Sequence, residues 1–277
     1  MHAADVAYLA QLLKRRTGIV INPLKTSQIA TRLAPVARRF GFRNPDELLR
    51  ELPHAHESML RPVMEAMTTN DTWFFRDRSP FEQFREIVLP DLMSRRSRSR
   101  KLRIWCAAAA TGQEAYSLAM LLQEAGLTKD GWTIELIASD ISSECVARAK
   151  EGLYTSFEVQ RGLNIKRLIA HFSQEGDRWR VSDSLRRMVK FRTFNLLDDY
   201  GWIGEIDVIF CRNVLLYFEP QTKTRILDRL AETLGPDGYL VVGTAEIPHE
   251  VSSAFELLPD SRGLYIKPDT QYRYAVV

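Results

Sequence analysis

The stretch LRIWCAAAATGQEAYSLAM (102–120) opens on a short apolar run, passes through a loop of small residues and continues with Ala115, Leu118, Ala119 and Leu122 at helical spacing. A strand that feeds a helix through such a loop is the first half of a parallel α/β unit. Further strands are expected at TIELIAS (133–139), MVKFRTF (188–194), IDVIFC (206–211) and GYLVVG (238–243), with helices after the first, second and fourth strands. Glu219-Pro220 opens the last of these helices, which carries Ile226, Leu227, Leu230 and Leu234, and Gly235-Pro236-Asp237-Gly238 is expected to stop it in a turn. FELL (255–258) and GLYIK (263–267) predict an antiparallel hairpin that finishes the sheet, while residues 152–187 fit neither pattern. They predict an insertion, with RWRV (178–181) as one strand of a small antiparallel unit.

Upstream of residue 100 no strand is expected. Val6, Leu9, Ala10 and Leu13 share a helix face, Lys14 to Arg16 suit its negative end, and Gly18 supplies the stop. Ile29, Leu33, Val36 and Phe40 predict a second helix, in which Pro35 should impose a kink or a later start. Asn44-Pro45-Asp46-Glu47 is a helix start, and Met59, Leu60, Val63, Met64 and Met67 mark a fourth helix. TTNDTWFFRD (68–77) is then a polar linker that turns aromatic. A helix from Ser79-Pro80 buries Phe81, Phe84 and Val88, and SRRSRSRKLR (94–103) reads as a solvated loop leading into the first strand, with a phosphate or acidic-protein contact as the alternative.

With 277 residues, 45% hydrophobic and 26% charged, the chain can bury a sizeable core, which excludes disorder, collagen and repeat arrays. It has no run of the ~18–20 apolar residues that a membrane span needs. Cys106, Cys145 and Cys211 form no CxxC or metal spacing, and the five histidines suggest neither metal nor acid–base work. A cytoplasmic protein with no disulfide framework and no metal is expected. The net charge of +3 is too small to imply nucleic acid, but residues 1–75 hold ten Lys/Arg against seven Asp/Glu while the remainder is balanced, 28 against 28. Such a basic segment could steer an acidic partner.

In an open α/β sheet, ligands bind beyond the carboxyl ends of the strands. Ala107 to Glu114 lets backbone approach a ligand beside a helix start, yet lacks the G-x-G-x-x-G of a pyrophosphate cradle. Asp140 ends the second strand, 28 positions after Gly112, where an acid suits the two hydroxyls of a ribose or, alternatively, caps the next helix. The reading is a nucleoside without pyrophosphate, S-adenosylmethionine rather than NAD.

Five motifs in register then carry a resemblance: TTNDTWFFRD (68–77), WCAAAATGQEAYSLAM (105–120), ASDIS (138–142), FNLLD (194–198) and IFCRNVLLYFEP (209–220). In order and spacing they resemble the CheR-type chemotaxis receptor methyltransferases. The resemblance implies a Rossmann-like class I methyltransferase sheet with a helical, receptor-docking domain over 1–72 and a cofactor domain over 73–277 that holds a β insertion at about 152–187. It implies transfer of the methyl group of S-adenosylmethionine to glutamate carboxylates of a chemoreceptor's cytoplasmic helical bundle, leaving S-adenosylhomocysteine. By motif, Asn70, Thr72 and Arg76 match the linker over the cofactor, Glu114 and Asp140 its acids, Asn195 and Leu196 the adenine-flanking pair, and Cys211 and Arg212 the end of the fourth strand. Arg76 and Tyr217 match the residues nearest the transferred methyl, and Trp73 to Phe75 would help to exclude water. Arg32, Arg38 and Arg39 are candidates for steering toward an acidic receptor face.

Ala115 replaces a common proline, and His171 to Trp179 is short where peptide-tethered relatives carry a glycine-containing extension; independence from a receptor C-terminal pentapeptide follows as an expectation. Arg212-Asn213-Val214-Leu215 stands where nucleic-acid amino-methylases carry [DNS]-P-P-[YF], which speaks against base methylation. A methyltransferase with another acceptor and a non-catalytic cofactor-sensing module stand as alternatives; Arg76 and Tyr217 favour an enzyme.

Overall fold

The computed structural model describes residues 1–268. Helix α1 (Ala3–Thr17) ends at Gly18, whose left-handed φ of 77° lets its N–H return to the Lys14 carbonyl. Helix α2 (Thr26–Arg39) runs through Pro35 and does not start after it. Pro35 and Thr31, the residue whose carbonyl loses its partner, both lie on the exposed face, so the freed carbonyl meets water while Ile29, Leu33, Val36 and Ala37 hold the helix to the core. Helix α3 (Pro45–Glu51) is capped by Asn44, whose side chain accepts from the Glu47 N–H, and α4 (Glu57–Ala66) by His56. Val6, Leu9, Leu13, Leu33, Leu48 and Val63 form this bundle's own core.

Helix α5 (Ser79–Gln83) continues through a π turn (Phe84–Val88) into α6 (Leu89–Arg95). Strand β1 (Lys101–Ala107), α7 (Gln113–Glu124), β2 (Thr133–Asp140) and α8 (Ser143–Glu151) follow in the expected alternation. The insertion holds β3 (Leu153–Thr155), α9 (Ser156–Gln160), α10 (Ile165–His171), β4 (Phe172–Glu175) and β5 (Arg178–Val181), ending with α11 (Asp183–Met188). The main sheet resumes with β6 (Val189–Thr193), β7 (Ile206–Cys211), α12 (Pro220–Thr233), β8 (Leu234–Val242), β9 (Glu256–Leu257) and β10 (Leu264–Ile266).

Sheet order is β6-β2-β1-β7-β8-β10-β9, every pairing parallel except those of β10 with β8 and β9, beside a separate antiparallel sheet β3-β5-β4. The chain winds one way from β1 through β2 to β6 and the other way from β7, so the switch point lies between β1 and β7.

Two loop expectations are corrected. Gly235 to Gly238 is not a turn between helix and strand: it lies inside β8 as an irregularity, the register stepping from Ile206↔Leu234 to Val208↔Tyr239. Nor is the arginine-rich stretch a solvated loop. Arg96 forks onto Asp237 at 2.8 and 2.6 Å and reaches Asp207 at 3.0 Å, pinning the irregular segment to β7. These carboxylates lie 111 and 141 residues away, so local composition gives no sign of them.

Candidate active site

A cavity of about 830 Å³, its solvent mouth included, opens at the carboxyl ends of β1 and β7. Its floor is the loop after β1, where Ala108 (φ 67°) and Ala110 (φ 46°) take left-handed backbone at a cost of about 1–2 kcal/mol each. Gly112 follows with φ 94°; a Cβ there would lie 2.9 Å from that of Ala149 on α8, so only glycine fits.

Asp140 holds this loop. One carboxylate oxygen accepts from the Ala110 N–H at 2.7 Å and the other from the Ser142 N–H at 2.9 Å, while Ser142 itself caps α8. A carboxylate offers about four lone-pair sites, so both oxygens keep capacity for a diol. Burial pushes the Asp140 carboxyl above the ordinary aspartate range, against the backbone N–H groups of Ser142, Ala110 and Ile141 that hold it down; the nearby Glu65 adds to the rise.

Arg212, its side chain 1% exposed, donates to Glu114 at 2.7 Å and to Asp77 and the Arg76 carbonyl at 2.8 and 3.0 Å. Burial pushes the Glu114 carboxyl up and Arg212 opposes it. One guanidinium thus joins β7, α7 and the linker across the cavity wall.

The linker forms the roof, with Asn70, Thr72 and Arg76 on the cavity wall. Arg76 donates to the Asp71 carbonyl at 2.6 Å and lies 4.5 Å from the Trp73 ring, and its Nε is buried with no hydrogen bond among the described residues. Trp73, Phe74 and Phe75 do not line this cavity. Phe74 stacks edge-on with Tyr154 and Phe172, Phe75 with Phe81, and the Phe75 N–H donates to Ser117, so these side chains anchor the linker instead of walling off water. Aromatic burial under the insertion outweighs exposure at a polar cavity.

Leu196 and Asn195 complete one side. The Asn195 side chain accepts from the Leu197 N–H and donates to the Arg16 carbonyl, so it also fastens α1 to the sheet. Tyr217, on the single turn Leu215–Tyr217, stands on the wall after β7, and its carbonyl accepts from the Val20 N–H. Of the residues matched by motif to the cofactor or the methyl, only Cys211 is missing from the wall, its side chain fully buried in the sheet; Asn213 stands on the wall there. Thr17 and Ile19 from the end of α1 also line the cavity, a contribution visible only once Ile19 bridges to Phe218.

A wider groove runs from the linker between α2, α4 and α8, lined by Arg39, Arg61, Arg148 and Arg161. Arg32 also reaches it, but its guanidinium donates to the carbonyls of Met67 and Thr68 and to the Thr69 hydroxyl. It holds the linker while keeping its charge on the groove. Among the described residues there is no cluster of three His, Cys, Asp or Glu able to hold a metal, and no helix is long and apolar enough to cross a membrane.

A parallel sheet with an antiparallel final hairpin, a cavity at its switch point, no pyrophosphate cradle and a buried acid at the end of β2 define a Rossmann-like, S-adenosylmethionine-binding methyltransferase. Residues 70–264 match the S-adenosylmethionine-binding domain of the CheR methyltransferases and residues 4–68 their all-alpha domain. The chain belongs to the CheR methyltransferase family. It is 35% identical over 262 residues to the chemotaxis protein methyltransferase of Vibrio parahaemolyticus, covering 93% of this chain and 94% of that one. It is 36% identical over 265 residues to chemotaxis protein methyltransferase 1 of Pseudomonas aeruginosa, covering 94% and 96%.

Proposed function

We propose that this chain methylates glutamate side chains in the cytoplasmic helical bundle of a chemoreceptor, yielding glutamate methyl esters and S-adenosylhomocysteine. The observation that carries the reading is the placement of a cation, Arg76, and a phenol, Tyr217, on the wall of the same cavity as Asp140 and the alanine loop.

The residues fit the cofactor. Asp140 keeps acceptor capacity for a ribose, Leu196 and Asn195 suit an adenine, and the cavity has the volume for a nucleoside. When bound, S-adenosylmethionine supplies an electrophilic methyl on a sulfonium. The acceptor needs little activation, since a glutamate carboxylate, with a reference pKa of about 4.3, is ionised at pH 7. No general base is therefore required, and among the described residues no histidine lines the cavity. Arg76 can pair with one carboxylate oxygen while the Tyr217 hydroxyl donates to the same oxygen, leaving the other aligned for in-line attack. Opposite charges cancel as the bond forms, so the roof from Asn70 to Arg76 favours reaction by limiting water.

The groove suggests an approach for an acidic helix: Arg148 and Arg161 of the cofactor domain (73–277) are paired with Glu158 and Asp71, and Arg61 lies 3.8 Å from Glu65, so the positive excess on the lining rests on Arg32 and Arg39 of the helical domain (1–72). Independence from a receptor pentapeptide is part of the proposal. What supports it is the β4–β5 hairpin, where only Gly176 and Asp177 separate the paired Glu175 and Arg178. The same reading makes this a cytoplasmic enzyme. Peptide mass spectrometry of a chemoreceptor cytoplasmic fragment after reaction tests it: added methyl groups on glutamates are expected, and methyl groups confined to any other residue type would contradict it.

A further inference from the structure

Behind the Tyr217 wall lies Glu246, on the segment GTAEIP (243–248), 6% exposed and outside the cavity lining. One of its carboxylate oxygens accepts from the N–H groups of Val214 (2.8 Å) and Leu215 (2.7 Å), the other from those of Asn213 and Gly243 (2.7 Å each). Three successive amides converge on one anion because Asn213 is left-handed (φ 58°) and Val214 follows at φ −126°, ψ −37°, the alternation that makes a backbone anion nest. Asparagine tolerates that conformation where a branched side chain would not. A Cβ on Gly243 would fall 2.7 Å from both the Asn213 Nδ2 and a Glu246 oxygen, so the clamp also demands glycine at 243.

The clamped residues lead straight to the chemistry. Leu215 opens the turn that ends in Tyr217, and the Tyr217 N–H donates to the Val214 carbonyl at 3.1 Å. Asn213, Val214 and Tyr217 all line the cavity. We infer that Glu246 is a positioning residue for methyl transfer, holding the turn that aims the Tyr217 hydroxyl. The inference rests on the role given to Tyr217 above. A buried carboxylate with four N–H donors is fully satisfied, and the low-dielectric setting makes such charge-assisted bonds strong.

Glu246→Gln keeps the shape, but whichever way its amide turns, the NH₂ end faces two N–H donors. Methyl transfer to a chemoreceptor cytoplasmic fragment and S-adenosylhomocysteine binding are measured for E246Q, Y217F and the double variant. E246Q is expected to lower kcat about tenfold to a hundredfold with little change in KM for S-adenosylmethionine, since a displaced group near the reacting atoms costs rate first. S-adenosylhomocysteine affinity should stay within about threefold, and the double variant should be no more than about twofold slower than Y217F alone. Wild-type kcat in E246Q, or losses that multiply in the double variant, would overturn the inference. An impaired E246Q beside a fully active Y217F would overturn both it and the role assigned to Tyr217. Should E246Q not fold, Gly243→Ala, which crowds the clamp while keeping its charge, is expected to show the same loss of kcat; full kcat there would refute the inference.

Discussion

In the proposed function Asp140 serves the cofactor and Tyr217 the acceptor, and each role has its own test. Because burial raises the Asp140 carboxyl, its protonation on acidification begins above the ordinary aspartate value of 3.8, and a protonated acid accepts less well from ribose hydroxyls. S-adenosylhomocysteine affinity should therefore weaken as pH falls, over a range above that value, while Asp140→Asn binds weakly and lacks this limb; isothermal titration calorimetry across pH reads both. The same shift has the opposite sign for stability. A raised folded pKa means that the folded state holds the proton more tightly, so this group's contribution declines as pH rises from 3.8 through the folded value. For Tyr217→Phe the expectation is a loss of about tenfold to a hundredfold in kcat with cofactor affinity retained, the pattern of a donor used on the reacting group.

The gathering of Asp140, Arg76 and Tyr217 on one cavity wall is legible in the sequence from motif and strand order. Glu246 is not, because its partners are backbone amides, which leave no mark on side-chain spacing. The linker-holding role of Arg32 is hidden for a related reason: on a helix surface it reads as solvated charge, and only folding brings the carbonyls of Met67 and Thr68 beneath it.

Among the elements, the contact between the insertion and the linker is the most exacting. Gly162, at φ 100°, packs against the Phe74 carbonyl with no room for a Cβ, Arg161 stacks on Trp73 at 3.8 Å and Arg167 on Phe75 at 4.1 Å. Gly162→Ala should cost about 2–4 kcal/mol, combining left-handed strain with overpacking, and should lower activity by shifting the linker that carries Asn70, Thr72 and Arg76. Denaturant unfolding and an activity assay read the two effects; a variant of wild-type stability would show that the linker is not held there. The strands and helices of the main sheet were readable from apolar runs and helical spacing. Gly235 to Gly238 was not, since glycine and proline signal an irregularity without saying whether it ends a strand or bulges within one.

In the whole molecule, the helical domain closes one side of the cavity. Thr17 and Ile19 line it, Val20 bonds the Tyr217 carbonyl, and Glu65 on α4 accepts from Ser143 at 2.8 Å beside the start of α8. The groove at this junction is the proposed approach of an acidic partner. Reversing Arg39 and Arg61 to glutamate should raise KM for the receptor fragment several-fold and flatten its salt dependence, while kcat at saturation changes little. Unchanged KM and unchanged salt dependence would remove the groove from the substrate's path. None of this junction was legible from sequence beyond the excess of basic residues over 1–75, because it depends on how two separately cored units meet.

Methyl esters of glutamate differ from methylated nitrogen, sulfur or carbon in one convenient property: mild alkali releases them as methanol. The protein is incubated with methyl-labelled S-adenosylmethionine and a chemoreceptor cytoplasmic fragment, and volatile label is collected after alkaline treatment. Release of the incorporated label as methanol, abolished when the acceptor glutamates are replaced by alanine, is the predicted result. Label that survives alkali, or no incorporation by a protein that binds S-adenosylhomocysteine tightly, would contradict it.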